Sequence, residues 1–249
     1  EIIYATDIVE VEEEEEQVSD YPCTFFFTKD GYFKKITPQS LRMSGEHKLK
    51  EGDSIIQTVE SSNNRELLFF SDQSNVYKSR AADFKDTKTS VMGDYVPAKL
   101  GFAEGEGTRY MAVLTEYTGY MLFFYENGKV AKVEMSAYAT KANRRKLVGA
   151  YSDKSPLVAA FYVPADCEFV LTSTSGRRLL LHTGAIAPKS TRSTIGVQAM
   201  TLKGRHYLQS VALYEKGTLT KESRYRTKSL PAAGAMPLAE DYGEQLSLL

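Results

Sequence analysis

Phe25-Phe26-Phe27-Thr28-Lys29-Asp30-Gly31-Tyr32-Phe33-Lys34-Lys35 reads as a β-hairpin, an aromatic strand turning at Asp-Gly into a second strand that ends in lysines. Asp-Gly supplies the residues that tolerate the positive φ of a tight hairpin turn. The pattern returns three times. Leu67-Leu68-Phe69-Phe70 leads through Ser71-Asp72-Gln73-Ser74-Asn75 into Val76-Tyr77-Lys78. Met121-Leu122-Phe123-Phe124-Tyr125 leads through Glu126-Asn127-Gly128 into Lys129-Val130-Ala131-Lys132, and Phe169-Val170-Leu171 leads through a polar turn at Gly176 into Arg177-Arg178-Leu179-Leu180. The matched turn positions Gly31, Ser74, Gly128 and Gly176 lie 43, 54 and 48 residues apart. Ser74 departs from the glycine pattern, and Asn75 is expected to take the positive φ there.

After each hairpin come a polar, loop-like stretch and a further β-rich segment, at 54–59, 110–115, 157–163 and 207–214. That gives about four strands per repeat, the size of unit that cannot bury its own face and must stack on its neighbours. Helical spacing of apolar residues is sustained nowhere, so the chain is read as all-β, a propeller-like disc of four repeats at about 22–64, 65–118, 119–165 and 166–215. A β-sandwich also has regular strand spacing, but repetition of a whole hairpin favours the propeller. Residues 216–249 hold Lys216, Lys221, Arg224, Arg226 and Lys228, then Pro231 and Pro237, and read equally as a degenerate fifth repeat or an extended tail.

Thirty-one bases against 32 acids give a formal charge of −1 over 249 residues, which by itself speaks against a nucleic-acid partner. The distribution reverses that inference. Residues 1–21 hold nine acids and no base, and the last ten residues hold three more acids, leaving a net charge of +11 over 22–239. The acidic lead-in, with Glu12-Glu13-Glu14-Glu15-Glu16 at its centre, reads as a solvated linker; the alternative is that acidic ends compete with an anionic partner. The longest apolar run, 157–163, is far below the length of a membrane helix. Two cysteines, Cys23 and Cys167, fit a reducing cytoplasm. The chain does not begin with Met and is expected to be a piece of a longer protein.

These motifs resemble the C-terminal domain of bacterial type IIA topoisomerase A subunits, from DNA gyrase or topoisomerase IV. The family unit is an apolar strand, a Thr/Ser-x-x-Gly turn and a strand ending in bases, and Thr28-Lys29-Asp30-Gly31-Tyr32-Phe33-Lys34-Lys35 is similar to it. Thr191-Arg192-Ser193-Thr194-Ile195-Gly196-Val197-Gln198-Ala199-Met200 is similar to the family's Arg-rich loop and following strand, and the acidic lead-in to its linker. The resemblance implies a β-pinwheel whose blades exchange strands and whose basic rim bends duplex DNA. It implies a non-catalytic domain, with ATP and Mg bound elsewhere in a parent A2B2 heterotetramer that includes an ATPase subunit. It also implies a cytoplasmic, nucleoid-associated setting. Gyrase carries Gln-Arg-Arg-Gly-Gly-Lys-Gly after the first hairpin, whereas here Arg42, Gly45 and Lys48 are scattered and Glu46 intrudes. A topoisomerase IV-type role is favoured on that ground.

Neutralising duplex phosphates needs an exposed track of Lys and Arg, without catalytic geometry or base-reading specificity. The hairpins offer Lys34, Lys35, Lys78, Arg80, Lys129, Lys132, Arg177 and Arg178. The intervening stretches add Arg42, Lys48, Lys85, Lys88, Lys141, Arg144, Arg145, Lys146, Arg192, Lys203 and Arg205, with 141–146 the densest cluster. No catalytic residue and no metal site is expected. Arg109-Tyr110 and Arg224-Tyr225 resemble the nucleophile pair of the family's catalytic core, but Tyr110 enters the apolar run Met111-Ala112-Val113-Leu114 and reads as strand packing. His47, His182 and His206 lack metal-site spacing, and no Walker-type phosphate loop occurs. Two rival functions remain: a propeller scaffold for a protein partner, and a carbohydrate-active propeller with converging carboxylates.

Overall fold

The first hairpin folds as its sequence dictates in the computed structural model, which describes residues 17–140 and 144–242: β1 (Pro22–Thr28) turns at Gly31 into β2 (Tyr32–Ile36). A one-turn helix, α1 (Pro38–Arg42), is started by the Thr37 hydroxyl, which accepts from the Ser40 N–H, and by a proline in its first turn. β3 (Ile55–Ser62) then returns alongside β1. The second unit supplies β4 (Glu66–Ser71), β5 (Val76–Arg80), the two-residue β6 (Asp94–Tyr95), α2 (Val96–Leu100) and β7 (Thr108–Leu114). The third supplies β8 (Tyr120–Tyr125), β9 (Lys129–Glu134), β10 (Lys146–Leu147) and β11 (Leu157–Val163). The fourth supplies β12 (Glu168–Ser173), β13 (Arg178–His182), β14 (Val197–Gln198) and β15 (Leu208–Leu213), with α3 (Glu222–Tyr225) after it.

The strands pair as four antiparallel sheets in the orders β3-β1-β2-β6, β10-β5-β4-β7, β11-β8-β9-β14 and β13-β12-β15. The first three sheets take a hairpin and a third strand from one unit, and a two-residue outer strand from the next unit along the chain. The path is the same at each step: the hairpin ends in a short 3₁₀ turn (Ala81–Asp83, Met135–Tyr138 or Thr183–Ala185), and the chain then crosses to the preceding sheet. The result is the expected all-β, propeller-like disc with exchanged strands, a β-pinwheel of four blades.

Two outer strands dock through a glycine. Gly93 and Gly196 have positive φ, and a Cβ on either would lie 2.4 Å from the carbonyl oxygen of Phe33 or Val130 on the neighbouring strand, so no other residue fits. The fourth sheet receives a substitute from its own tail. Gly234 stands in the same relation to the Arg178 carbonyl, at 2.5 Å, and Ala235 pairs antiparallel with Arg178. Residues 216–242 therefore form no sheet of their own; they pack on the fourth blade, where Leu219 and Tyr225 cover Leu180.

Middle strands are buried on both faces, which explains their unbroken apolar runs. Phe69 joins the cluster between blades one and two, while its neighbour Phe70 joins the cluster between blades two and three. Aromatic pairs bridge each interface: Phe27–Phe69 at 5.5 Å, Phe70–Phe123 at 5.6 Å and Phe124–Phe169 at 5.2 Å between ring centroids. Among the described residues no hydrophobic cluster joins the fourth blade to the first. One turn differs from expectation. Ser74 itself, rather than Asn75, holds the positive φ of 57°, the only such non-glycine residue described.

That turn is tied down by Glu106, which is buried. Its carboxylate accepts from the Ser71 hydroxyl, the Asn75 amide, the Tyr77 hydroxyl and the Ala103 N–H. Burial alone would raise its pKa, but these four donors outweigh burial and hold the group down to about 2. A carboxylate depressed on folding stabilises the protein above its unfolded pKa of about 4.3, and that contribution disappears as pH falls through the folded value. Urea midpoints should therefore stay level from neutrality to about pH 5 and fall steeply toward pH 3. In Glu106→Gln the midpoint should be lower at neutrality and the acid slope shallower.

Candidate nucleic-acid interface

The hairpin lysines that recur in the sequence point inward. Counted from the turn residue, Lys35, Lys78 and Lys132 occupy the same position, four residues on. Lys35 is 2% exposed, and its ammonium donates to the Ala81 carbonyl and the Asn63 side chain while pairing with Asp86 at 3.3 Å. Lys132 is 3% exposed, donating to Asp166 at 2.6 Å and to the Thr183 carbonyl at 3.2 Å. Half-buried Lys78 donates to the Tyr138 carbonyl at 3.2 Å and the Thr140 hydroxyl at 2.9 Å. Each of the three lies over a tyrosine ring, Tyr21, Tyr120 and Tyr117 for Lys35, Lys132 and Lys78 respectively.

Lys34 is buried as well, its ammonium donating to the Lys48 and Thr89 carbonyls; burial lowers its pKa. Arg178 is buried and donates to the Asp241 carbonyl. The expectation of a solvent-facing track is revised for Lys34, Lys35, Lys132 and Arg178, whose charges are consumed inside the disc, and in part for Lys78. Two other expected contacts, Arg80 and Arg177, are exposed but engaged. Arg80 pairs with Asp83 at 3.2 Å, and Arg177 donates to the Gly234 carbonyl at 2.9 Å. Arg192 is half-buried and donates to the Ala137 carbonyl. Lys129 is half-buried in β9.

A different set carries the exposed charge. Arg42, Lys48, Lys85, Lys88, Arg144, Arg145, Lys146, Lys203 and Arg205 are exposed and make no ion pair among the described residues. Lys85, Lys88, Arg144, Arg145 and Lys146 sit on the segments that carry the exchanged strands β6 and β10 to the outer edges of their sheets. Exposed Lys189 occupies the matching segment ahead of β14 and was missed by the sequence reading. Its spacing could have revealed it, since Lys189 to Arg192 repeats the interval from Lys85 to Lys88. Lys141 falls outside the described residues, as do most of the acidic lead-in and Glu244. At the C-terminal end Asp241 is buried, accepting from the Thr220 N–H and hydroxyl and from the Tyr225 hydroxyl.

Chemistry elsewhere on the disc is muted. Tyr110 accepts from the Tyr162 N–H at 2.9 Å, and burial pushes its hydroxyl up to about 12, the wrong direction for a nucleophile. Tyr225 is buried against Asp241. His47 packs on the Phe26 ring, His182 accepts from the Gly184 N–H, and His206 meets the Thr174 hydroxyl. Among the described residues no group of three His, Cys, Asp or Glu side chains is placed to hold a metal, and no helix is long and apolar enough to cross a membrane. A concavity of about 650 Å³ opens between the first three blades. Its two carboxylates are both engaged, Asp30 with Lys50 and Asp72 with the Gly107 N–H.

Comparison with known proteins agrees with this architecture. The family described as DNA gyrase C-terminal domain, beta-propeller, matches residues 65–93 and 187–214. The DNA gyrase A protein of Mycobacterium bovis is 26% identical over 174 residues, covering 68% of this chain and 21% of that protein. The chain thus spans about a fifth of the length of that relative. A crystal structure of the C-terminal domain of DNA topoisomerase IV superposes with a TM-score of 0.73 at 19% identity, covering 88% of this chain and 73% of the other. A DNA gyrase A C-terminal domain gives 0.57 at 17% identity, covering 86% and 76%. The resemblance drawn from the sequence, to the C-terminal domains of gyrase and topoisomerase IV A subunits, is borne out.

Proposed function

We propose that this chain is a non-catalytic domain that binds and bends duplex DNA for a type IIA topoisomerase, holding phosphates on the outer edges of its blades. The observation that carries the reading is the set of exposed bases on the strand-exchange segments, together with exposed Arg42 and Lys48 after the first hairpin, none of which has a carboxylate partner among the described residues. Unpaired cations on an edge are suited to phosphates, which release condensed counterions on neutralisation. Such contacts position DNA without reading bases. They must also offset the bending cost, about 1–6 kcal/mol for a short arc. Topoisomerase IV-type guidance of crossings, rather than gyrase-type wrapping, is supported by the scattered bases and intruding Glu46 after the first hairpin. In this reading ATP and Mg act elsewhere in an A2B2 parent assembly of the cytoplasm, and the domain needs neither.

The test is a binding titration against a linear duplex over a salt series. Affinity should fall by about 10³–10⁵ between about 50 and 200 mM salt if six to ten phosphates are engaged, and should vary little with sequence. Salt-independent binding, or no binding at the lowest salt, would reject the proposal.

A further inference from the structure

The repeated lysine four residues after each hairpin turn has partners that follow one rule. Each ammonium reaches out of its own blade to a backbone carbonyl in the 3₁₀ turn of the next unit: Lys35 to Ala81, Lys78 to Tyr138, Lys132 to Thr183. From that turn the chain leaves for the outer edge, carrying Lys85 and Lys88, then Arg144, Arg145 and Lys146, then Lys189 and Arg192. Backbone contacts fix the same segments to the same strands. The Thr87 N–H donates to the Lys35 carbonyl, the Lys78 N–H to the Arg145 carbonyl, and the Lys189 N–H to the Lys132 carbonyl. In the fourth blade the described residues that follow, 216–242, form no sheet of their own, and the matching position is Leu180, buried against Leu219 and Tyr225. An ammonium is present only where a following unit supplies carbonyls to hold.

We infer that Lys35, Lys78 and Lys132 are positioning residues for DNA binding, latches that hold the exchanged segments so that their exposed bases, Lys85, Lys88, Arg144, Arg145, Lys146 and Lys189, face phosphate. The inference rests on the proposed DNA-binding reading and deepens it. The sequence pattern that first suggests phosphate contact then has another origin: the latches recur because the inter-blade joint recurs. Lys78 is the cleanest place to test this, because its partners are a carbonyl and a hydroxyl and its removal strands no carboxylate.

The experiment measures the slope of log affinity against log salt for the whole chain with a short linear duplex. Each lost phosphate contact reduces the slope by about 0.9. Arg144→Gln/Arg145→Gln/Lys146→Gln sets the reference, a reduction of about 2.7. Lys78→Met should reduce the slope by more than one contact's worth, and adding it to the triple variant should reduce it no further. Hydrogen exchange at 144–150 should quicken in Lys78→Met without DNA present. Three outcomes would overturn the inference: an unchanged slope with a lower melting temperature, an additive loss of about 0.9 on top of the triple variant, or unchanged exchange at 144–150. If Lys78→Met does not fold, Lys132→Met with Asp166→Asn makes the same test on the segment holding Lys189 and Arg192. Absence of salt-dependent binding in the unmodified chain defeats the DNA reading itself, whereas a binding chain with an indifferent Lys78 defeats only the latch.

Discussion

Phe69→Ala and Phe70→Ala should each destabilise the domain by about 3–5 kcal/mol, the cost of truncating a fully buried phenylalanine. The two side chains are neighbours on β4 and point to opposite faces. Phe69 lies 5.5 Å from Phe27 of the first blade, and Phe70 lies 5.6 Å from Phe123 of the third, ring centroid to centroid. Both are 0% exposed. In a sheet with one solvent-facing side, one of the pair would be exposed and its truncation would cost little. Equal, large losses are therefore the signature of a blade packed between two others, and chemical denaturation of the two variants measures them directly. A loss below about 1 kcal/mol for either would contradict the stacking of blade two on both neighbours.

The features legible in the sequence are those that a single hairpin states locally. Asp30-Gly31 and Asn127-Gly128 announce their turns, and the runs around Phe26, Phe69 and Phe123 announce strands covered on both faces. What stayed hidden depends on partners brought in from the next repeat. β6, β10 and β14 have two residues each, too short for any alternation to register, and two of them are set by a glycine pressed against a neighbouring carbonyl. The orientation of the hairpin lysines is hidden for the same reason. A lysine on a β-strand reads alike whether it meets water or a buried carbonyl, and the carbonyls that take up Lys35, Lys78 and Lys132 lie 46, 60 and 51 residues further along the chain. Glu106 is a parallel case, a carboxylate that reads as one more solvent charge until four donors converge on it. The division of net charge along the chain did survive, because the exposed bases on the exchange segments belong to the basic body it identified.

Deleting residues 240–249 should weaken the fourth blade rather than free the domain for DNA. The alternative sequence reading makes the acidic end a competitor for phosphate, and under it removal should raise affinity. The fold gives Asp241 another task. Burial would raise its pKa, but bonds from Thr220 and Tyr225 outweigh that and hold it down to about 2. Its backbone carbonyl receives Arg178, which is 7% exposed and has Ala235 as its strand partner. Deletion leaves a buried guanidinium without that acceptor and the Tyr225 hydroxyl without its carboxylate, a loss of about 3–5 kcal/mol by analogy with breaking other buried charged contacts. The melting temperature of the deletion variant should fall accordingly, and Asp241→Asn, which keeps the backbone carbonyl that Arg178 uses, should reproduce only the part owed to the side-chain carboxylate. Competition for DNA is isolated by Glu240→Gln with Glu244→Gln. Glu240 is exposed and makes no ion pair among the described residues, so stability should hold while the end loses two charges. Higher DNA affinity in that variant at low salt, with an unchanged melting temperature, would restore the competitor role; unchanged affinity leaves this end of the chain as the clasp of the fourth blade.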